Sequence, residues 1–267
     1  MRSWIHRVKG VGIGAAVVAA MVGWGGSTED WPQWRGPNRT GVVDGEGLLA
    51  EWPAGGPRLV WSSREAGKGF STPSKVGDRL FLLGTLEGEE ESLIALDANH
   101  GGRLWATPFG RMQGGYPGPR STPTWRDGRL YVISSDGKLL CAEARDGARI
   151  WSRDLVREFG GQCGSWAYAE SPLVDDERVI CTPGGSNATM VALDRRTGAT
   201  IWTCAVRRVR STEAGARRPR RAYGTAGYAS VVAAEIGGVR QYVQFLDGGV
   251  VGVSAEDGRL LWAWDDP

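Results

Sequence analysis

The chain has 267 residues, with 41 glycines, 13 tryptophans, 23% charged residues and a formal net charge of +2 at neutral pH. That is ordinary globular polarity, and so small a charge excludes the strongly basic surface of a nucleic-acid or membrane-surface protein. Past the N-terminus no stretch sustains a helical period of apolar residues, so the pattern predicts an all-β chain.

Residues 1–26 carry Arg2, Arg7 and Lys9, then an apolar run from Val11 to Trp24, then Gly25 and Gly26. A charged start, an apolar centre and small residues near the cut are the layout of a secretory signal peptide, which implies a periplasmic or secreted protein. The apolar run is short of the ~20 residues that a membrane span needs; an uncleaved N-terminal anchor is the alternative. Removing this segment leaves 29 Lys and Arg against 30 Asp and Glu. Residues 27–60 read as an N-terminal extension.

From residue 61 onward one sentence is written four times: Leu93 to Trp105, Leu139 to Trp151, Met190 to Trp202 and Val250 to Trp262. Such a period marks a repeat architecture. Four residues before each tryptophan stands a glycine (Gly101, Gly147, Gly198, Gly258), and ten before it a small side chain or none (Ala95, Cys141, Ala192, Gly252). Eight before it stands Asp97, Glu143, Asp194 or Ser254. The central Gly, with Asp, Asn or Thr ahead of it, predicts a tight turn between two antiparallel strands. Upstream of each copy lies another strand, starting at Asp78, Gly128, Glu177 and Val239. Before that comes a fourth, beginning at Ser71-Thr-Pro73, Ser121-Thr-Pro123, Ser171-Pro172 and Ser230. Four strands per repeat make one blade of a β-propeller, with each indole able to wedge between blades and bond a neighbouring carbonyl.

Between the third and fourth blades, residues 207–222 form an Arg-rich insertion, read as a solvated loop in preference to a polyanion site. Cys141 and Cys181 fall inside strands, which favours buried free thiols over disulfides. No Cys/His cluster suits a metal, and His6 and His100 are the only histidines, which argues against zinc chemistry and a Ser-His-Asp triad.

The sequence Ala-Leu-Asp-x-x-x-Gly-x-x-x-Trp, seen at Ala95 to Trp105 and Ala192 to Trp202, resembles the PQQ-like β-propeller repeat of quinoprotein alcohol dehydrogenases and of BamB-like assembly propellers. The opening Asp30-Trp-Pro-Gln-Trp-Arg-Gly-Pro-Asn-Arg-Thr-Gly-Val42 is similar to exported members of that family. The resemblance implies a ring of seven or eight blades, of which residues 61–267 supply about four, with Trp61 in a lone strand ahead of the first. A partial ring leaves open edges and predicts self-association.

The innermost strands line the propeller's axis, and its mouth is where a ligand would sit. Aligning the repeats on their serines puts Phe70, Arg120, Glu170 and Ala229 at one level, so Arg120 and Glu170 are expected as neighbours on adjacent blades. Trp166 and Tyr168, with Tyr116 and Tyr228 nearby, could stack a flat ligand such as PQQ with Ca²⁺. A structural ion pair packed among aromatics is the plainer reading of the same residues. The dehydrogenases' adjacent cysteines and catalytic Asp motif have no match here. The expectation is therefore a non-catalytic binding or assembly scaffold working with envelope proteins. The alternatives are a PQQ-dependent alcohol or sugar oxidoreductase and a carbohydrate binder using the aromatics at the channel mouth.

Overall fold

A computed structural model describes residues 30–42, 49–115, 117–206 and 225–264. The signal or anchor segment, Tyr116 and the Arg-rich insertion lie outside the described residues.

Four antiparallel sheets of four strands follow one another along the chain, each strand pairing with its sequence neighbour. The first blade is β1 (Ser74–Val76), β2 (Arg79–Thr85), β3 (Glu90–Asp97) and β4 (Arg103–Arg111). The second is β5 (Thr124–Arg126), β6 (Arg129–Ile133), β7 (Lys138–Glu143) and β8 (Arg149–Asp154). A one-turn helix, α1 (Leu155–Phe159), leads on to β9 (Leu173–Asp175), β10 (Arg178–Cys181), β11 (Met190–Asp194) and β12 (Thr200–Cys204). The last blade is β13 (Val232–Ile236), β14 (Val239–Leu246), β15 (Gly249–Ser254) and β16 (Leu260–Trp264).

The repeat's spacing has a direct structural cause. Ala95, Cys141, Ala192 and Gly252 are the cross-strand partners of Trp105, Trp151, Trp202 and Trp262. Directly opposed side chains on one sheet face lie close together, so an indole there leaves room for little more than a methyl group. Immediately after that pair the register slips in every blade, a bulge at the same place each time. The turn glycines share φ of 73 to 74°, a region that a side chain enters only with strain.

These glycines have a second duty. A Cβ on Gly101 would meet the ring of Trp61 at 2.7 Å, one on Gly147 the ring of Trp105 at 2.6 Å, and one on Gly258 the ring of Trp202 at 2.6 Å. Each indole thus lies on the turn of the following blade. Trp61 donates its Nε1–H to Ala98 O (3.0 Å), Trp151 to Arg195 O (3.1 Å) and Trp202 to Ala255 O (3.3 Å). Trp105 breaks the rule. The equivalent carbonyl, of Ala144, accepts instead from the Arg79 guanidinium at 3.1 Å, and Trp105 Nε1 is buried without a partner. Trp262 turns to its own blade and donates to Gln241 Oε1 at 2.5 Å.

Three buried clusters, each assembled from the facing sides of consecutive blades, hold the sheets together. Three cores joining four blades make an open arc, not a closed ring. Cys141, Cys181 and Cys204 are buried free thiols, and Cys163 is half-buried in a loop.

Three expectations need correction. Trp61 lies in irregular chain, so its indole docks without the lone strand expected to carry it. The inner strands begin two or three residues after the serines; in the first three blades the intervening Pro73, Pro123 and Pro172 lack the N–H for the ladder, while in the fourth β13 begins at Val232 with no proline ahead of it. The helix α1 has no periodic signature, being a single turn. Its signals are purely terminal: Asp154 accepts from Arg157 N at 3.0 Å and Gly160 closes it at φ 65°.

Candidate functional site

The serines on which the repeats align form a hydrogen-bonded seam. Ser71 Oγ donates to Ser121 O (2.7 Å), Ser171 Oγ accepts from Thr122 N (2.9 Å) and Ser230 Oγ accepts from Ser171 N (2.9 Å). Serine hydroxyls of the first, third and fourth blades thereby stitch the four inner strands side by side, whereas the hydroxyl of Ser121 in the second blade is buried without a partner.

The extension crosses this seam. Trp31 pairs with Lys75 of β1, and Pro32 O accepts from Trp125 N of β5 at 2.8 Å. Further along, the Arg39 guanidinium donates to Ser171 O (2.8 Å) and Pro172 O (3.2 Å) beside β9, and to Val231 O (2.8 Å) beside β13. Residues 31–39 therefore reach the inner strands of all four blades. Arg39 is 6% exposed, and burial pulls its pKa down to about 10 against the opposing pull of Glu170.

Glu170 is 1% exposed. Its two oxygens accept from Thr182 N (2.8 Å) and Thr182 Oγ1 (3.1 Å), and Gln244 Nε2 donates to that same hydroxyl oxygen at 2.8 Å. Burial lifts its pKa to about 7, although the Thr182 bonds and the Arg39 charge both favour the carboxylate. Desolvation wins.

Arg120 stands elsewhere. It lies over the Phe70 ring at 5.8 Å, and its charge acts on Glu91, a buried carboxylate that accepts from Ser135 N (2.8 Å) and from the Ser135 hydroxyl. Burial raises the Glu91 pKa too. No ion pair joins Arg120 to Glu170, so each member of the expected pair has a different partner. Arg120 Nη2 is buried and lacks a hydrogen-bond partner.

The aromatics divide in the same way. Tyr168 is buried between blades, its hydroxyl donating to Pro183 O at 2.7 Å, and burial raises its pKa. Trp166 is 53% exposed and Tyr228 42%, with ring centroids 5.4 Å apart and planes 35° from parallel. Of the four residues singled out, Tyr168 and Glu170 face inward and Trp166 faces outward; Arg120 is intermediate. Sequence reasoning missed Arg39. The only available signal was its place in the opening Asp30 to Val42 stretch.

A calcium-bound quinone needs several converging oxygen ligands. Among the described residues no three His, Cys, Asp or Glu side chains gather as a metal site. Both oxygens of Glu170, the carboxylate that could have served, are engaged by Thr182.

A family model described as outer membrane protein assembly factor BamB matches residues 89–264, which include all four repeat tryptophans. The chain belongs to this family of PQQ-like propellers. Two curated relatives lie on either side of the functional question. One is the outer membrane protein assembly factor BamB of Shewanella oneidensis, 26% identical over 164 residues, which are 60% of this chain and 40% of that protein. The other is the quinohemoprotein alcohol dehydrogenase of Comamonas testosteroni, 26% identical over 155 residues, 54% of this chain and 21% of that one. The crystal structure of quinohemoprotein alcohol dehydrogenase from Comamonas testosteroni superposes with a TM-score of 0.64 at 15% identity, covering 91% of this chain and 42% of that one. This PQQ-like propeller thus spans less than half the length of the relatives it matches. Its likeness to the solved dehydrogenase is one of fold.

Proposed function

We propose that this PQQ-like propeller is an exported, non-catalytic binding or assembly scaffold that engages other proteins of the cell envelope. The observation that supports this most is the division of the axial face. Glu91 and Glu170, its buried carboxylates, are turned inward and hydrogen-bonded by Ser135 and Thr182. Phe70, Trp166, Tyr228 and Phe245 meanwhile present exposed rings. Inward, saturated acids suit holding blades together, whereas exposed aromatics are the usual anchors of a binding face. The similarity to a BamB protein supports the envelope as the setting and other envelope proteins as the partners.

Two measurements test this. Fractionation of cells expressing the full chain should recover it with the envelope or periplasm, and photo-crosslinkers at the exposed rings should capture outer-membrane assembly proteins. The purified protein, incubated with PQQ and Ca²⁺ and offered alcohols or sugars, should leave a redox dye unreduced. Quinone-dependent dye reduction would overturn the scaffold reading in favour of a PQQ-dependent oxidoreductase, the reading that the dehydrogenase alignment favours. Cytoplasmic recovery would overturn the proposed setting.

A further inference from the structure

We infer that the cleft between the first two blades binds a small zwitterion, namely a di- or tripeptide with free termini and an apolar side chain. The inference goes beyond the protein-scaffold reading, uses none of the exposed rings and stands or falls separately from it.

The cleft lies at the turn ends of the two sheets. Asp78 stands in the β1–β2 turn, Glu143 closes β7, and Arg145 belongs to the turn that leads on to β8. Phe70 and Tyr228, by contrast, precede the inner strands at their other end. About 590 Å³ opens here, walled by Phe81 and Trp125 and by the charged side chains of Asp78, Arg79, Glu143 and Arg145. That volume is within the ~300–1,000 Å³ of typical ligand sites.

The space exists because two side chains that fill the next joint are missing from this one. Between the second and third blades the Tyr131 hydroxyl donates to Arg195 O at 3.1 Å, and the Arg195 guanidinium reaches Asp127 (2.7 Å) and Glu177 (2.9 Å). In the first blade Phe81 takes the place of Tyr131, each being the cross-strand partner of the small residue that opposes the repeat tryptophan. In the second blade Ala144 takes the place of Arg195, directly after the repeat's acidic residue. Hydroxyl and guanidinium are both gone. This is also the joint whose indole, that of Trp105, is buried without an acceptor.

The charges around the cleft balance, yet they are not spent on one another. Asp97 and Asp194 cap their own turns, accepting from Asn99 N (2.7 Å) and Thr197 N (2.8 Å). In the second blade Asp146 does this instead, accepting from Ala148 N at 3.1 Å. Glu143 is thereby released, and among the described residues no hydrogen bond or ion pair holds its carboxylate. Arg79 spends Nη1 on the Ala144 and Arg145 carbonyls, and its ion pair with Asp78 is a loose one at 3.9 Å. Arg145 pairs with Asp146 at 3.0 Å. A ligand of single charge meets repulsion from one side of such a cleft, whereas a zwitterion meets attraction on both. Its carboxylate suits Arg79, its ammonium suits Glu143, and an apolar side chain lies against Trp125 and Phe81. A short peptide fills this volume better than a single amino acid, which would leave most of it to water.

The full chain should be tested by isothermal titration with the peptides Leu-Leu, Phe-Leu and Leu-Phe-Leu, each with free termini, N-acetylated or C-amidated. The expected result is binding of at least one free peptide, weakened by about ten-fold or more by either cap, the loss of one charge-assisted bond. Glu143→Gln should weaken the free peptide by a similar factor and abolish the penalty for acetylation, because both changes remove the same contact. Ala144→Arg, which restores the side chain found in the next joint, should abolish binding while its melting curve shows it folded; if it fails to fold, Glu143→Gln decides. Glu256→Gln, at an exposed acid of the last blade, should leave the affinity unchanged. No free peptide bound at millimolar concentration, capped peptides bound as tightly as free ones, or an acetylation penalty that survives Glu143→Gln would overturn the inference. Cross-links from the exposed rings report the opposite end of the blades and should persist in Glu143→Gln, so this inference and the scaffold reading can fail independently.

Discussion

Replacing Arg39 with alanine tests whether the extension is part of the propeller or merely rests on it. The substitution removes bonds to Ser171 O and Val231 O at 2.8 Å and to Pro172 O at 3.2 Å, leaving three carbonyls of two blades without that donor. Hydrogen bonds from a charged donor are worth roughly 1.5–3 kcal/mol each, and bonds sharing one side chain do not add fully. Against this stands the cost of burying the cation: a pKa lowered from 12.5 to about 10 corresponds to about 3 kcal/mol disfavouring the charged form. Alanine escapes that cost but opens a cavity and takes away the cation beside Glu170. The balance is a destabilisation of about 2–4 kcal/mol, in the range typical of breaking a buried polar network. For a chain of this size that lowers the melting temperature by roughly 5–15 °C. Differential scanning calorimetry on the purified chain reads it directly. Arg39→Lys should recover only part of the loss, because a point-like ammonium cannot fork between carbonyls on two blades. An Arg39→Ala melt within 2 °C of the parent would refute the claim that the extension bridges the blades.

Three further outcomes are expected. Glu170 has a folded pKa of about 7 against an ordinary value of 4.5, so its contribution is fully present below about pH 4.5 and is lost as pH rises towards 7. Glu170→Gln removes that loss, and the variant's melting temperature minus the parent's should rise between pH 4.5 and 8; a difference constant with pH would contradict the assignment. Gly258→Ala combines φ of +74° with a Cβ 2.6 Å from the Trp202 ring, and should cost about 2–4 kcal/mol in denaturant unfolding; a neutral result would mean that the indole does not rest there. Trp151→Phe should cost about 1 kcal/mol more than Trp105→Phe, since only the former surrenders a hydrogen bond. Equal losses would show that the Trp105 N–H is not the orphan it is taken for.

Much of the fold was legible because the information is local. Strand alternation, a glycine at the turn and a small residue ten positions before tryptophan all follow from pairing across one hairpin, where sequence distance determines spatial distance. The blades and their inter-blade indoles could be read from these spacings, and so could the axial line of serines. Where a spacing rule failed, a neighbour from elsewhere intervened: nothing near Trp105 says that Arg79 will take the carbonyl it needs.

The site was less legible, for the same physical reason turned round. Placing Arg120 and Glu170 at one level said nothing about which way each side chain turns, and their partners proved to be Glu91 and Arg39. Arg39 reaches Val231 across 192 residues of sequence, a contact that no local pattern encodes. The sequence by itself determined the repeating unit and how each unit grips the next, because both are short-range matters of sterics and hydrogen bonding. Tertiary structure alone decided which charges were buried, which aromatics stayed in water and how the extension crossed the axis. Burial and its electrostatic consequences depend on everything packed around a group, and that exists only once the blades have come together.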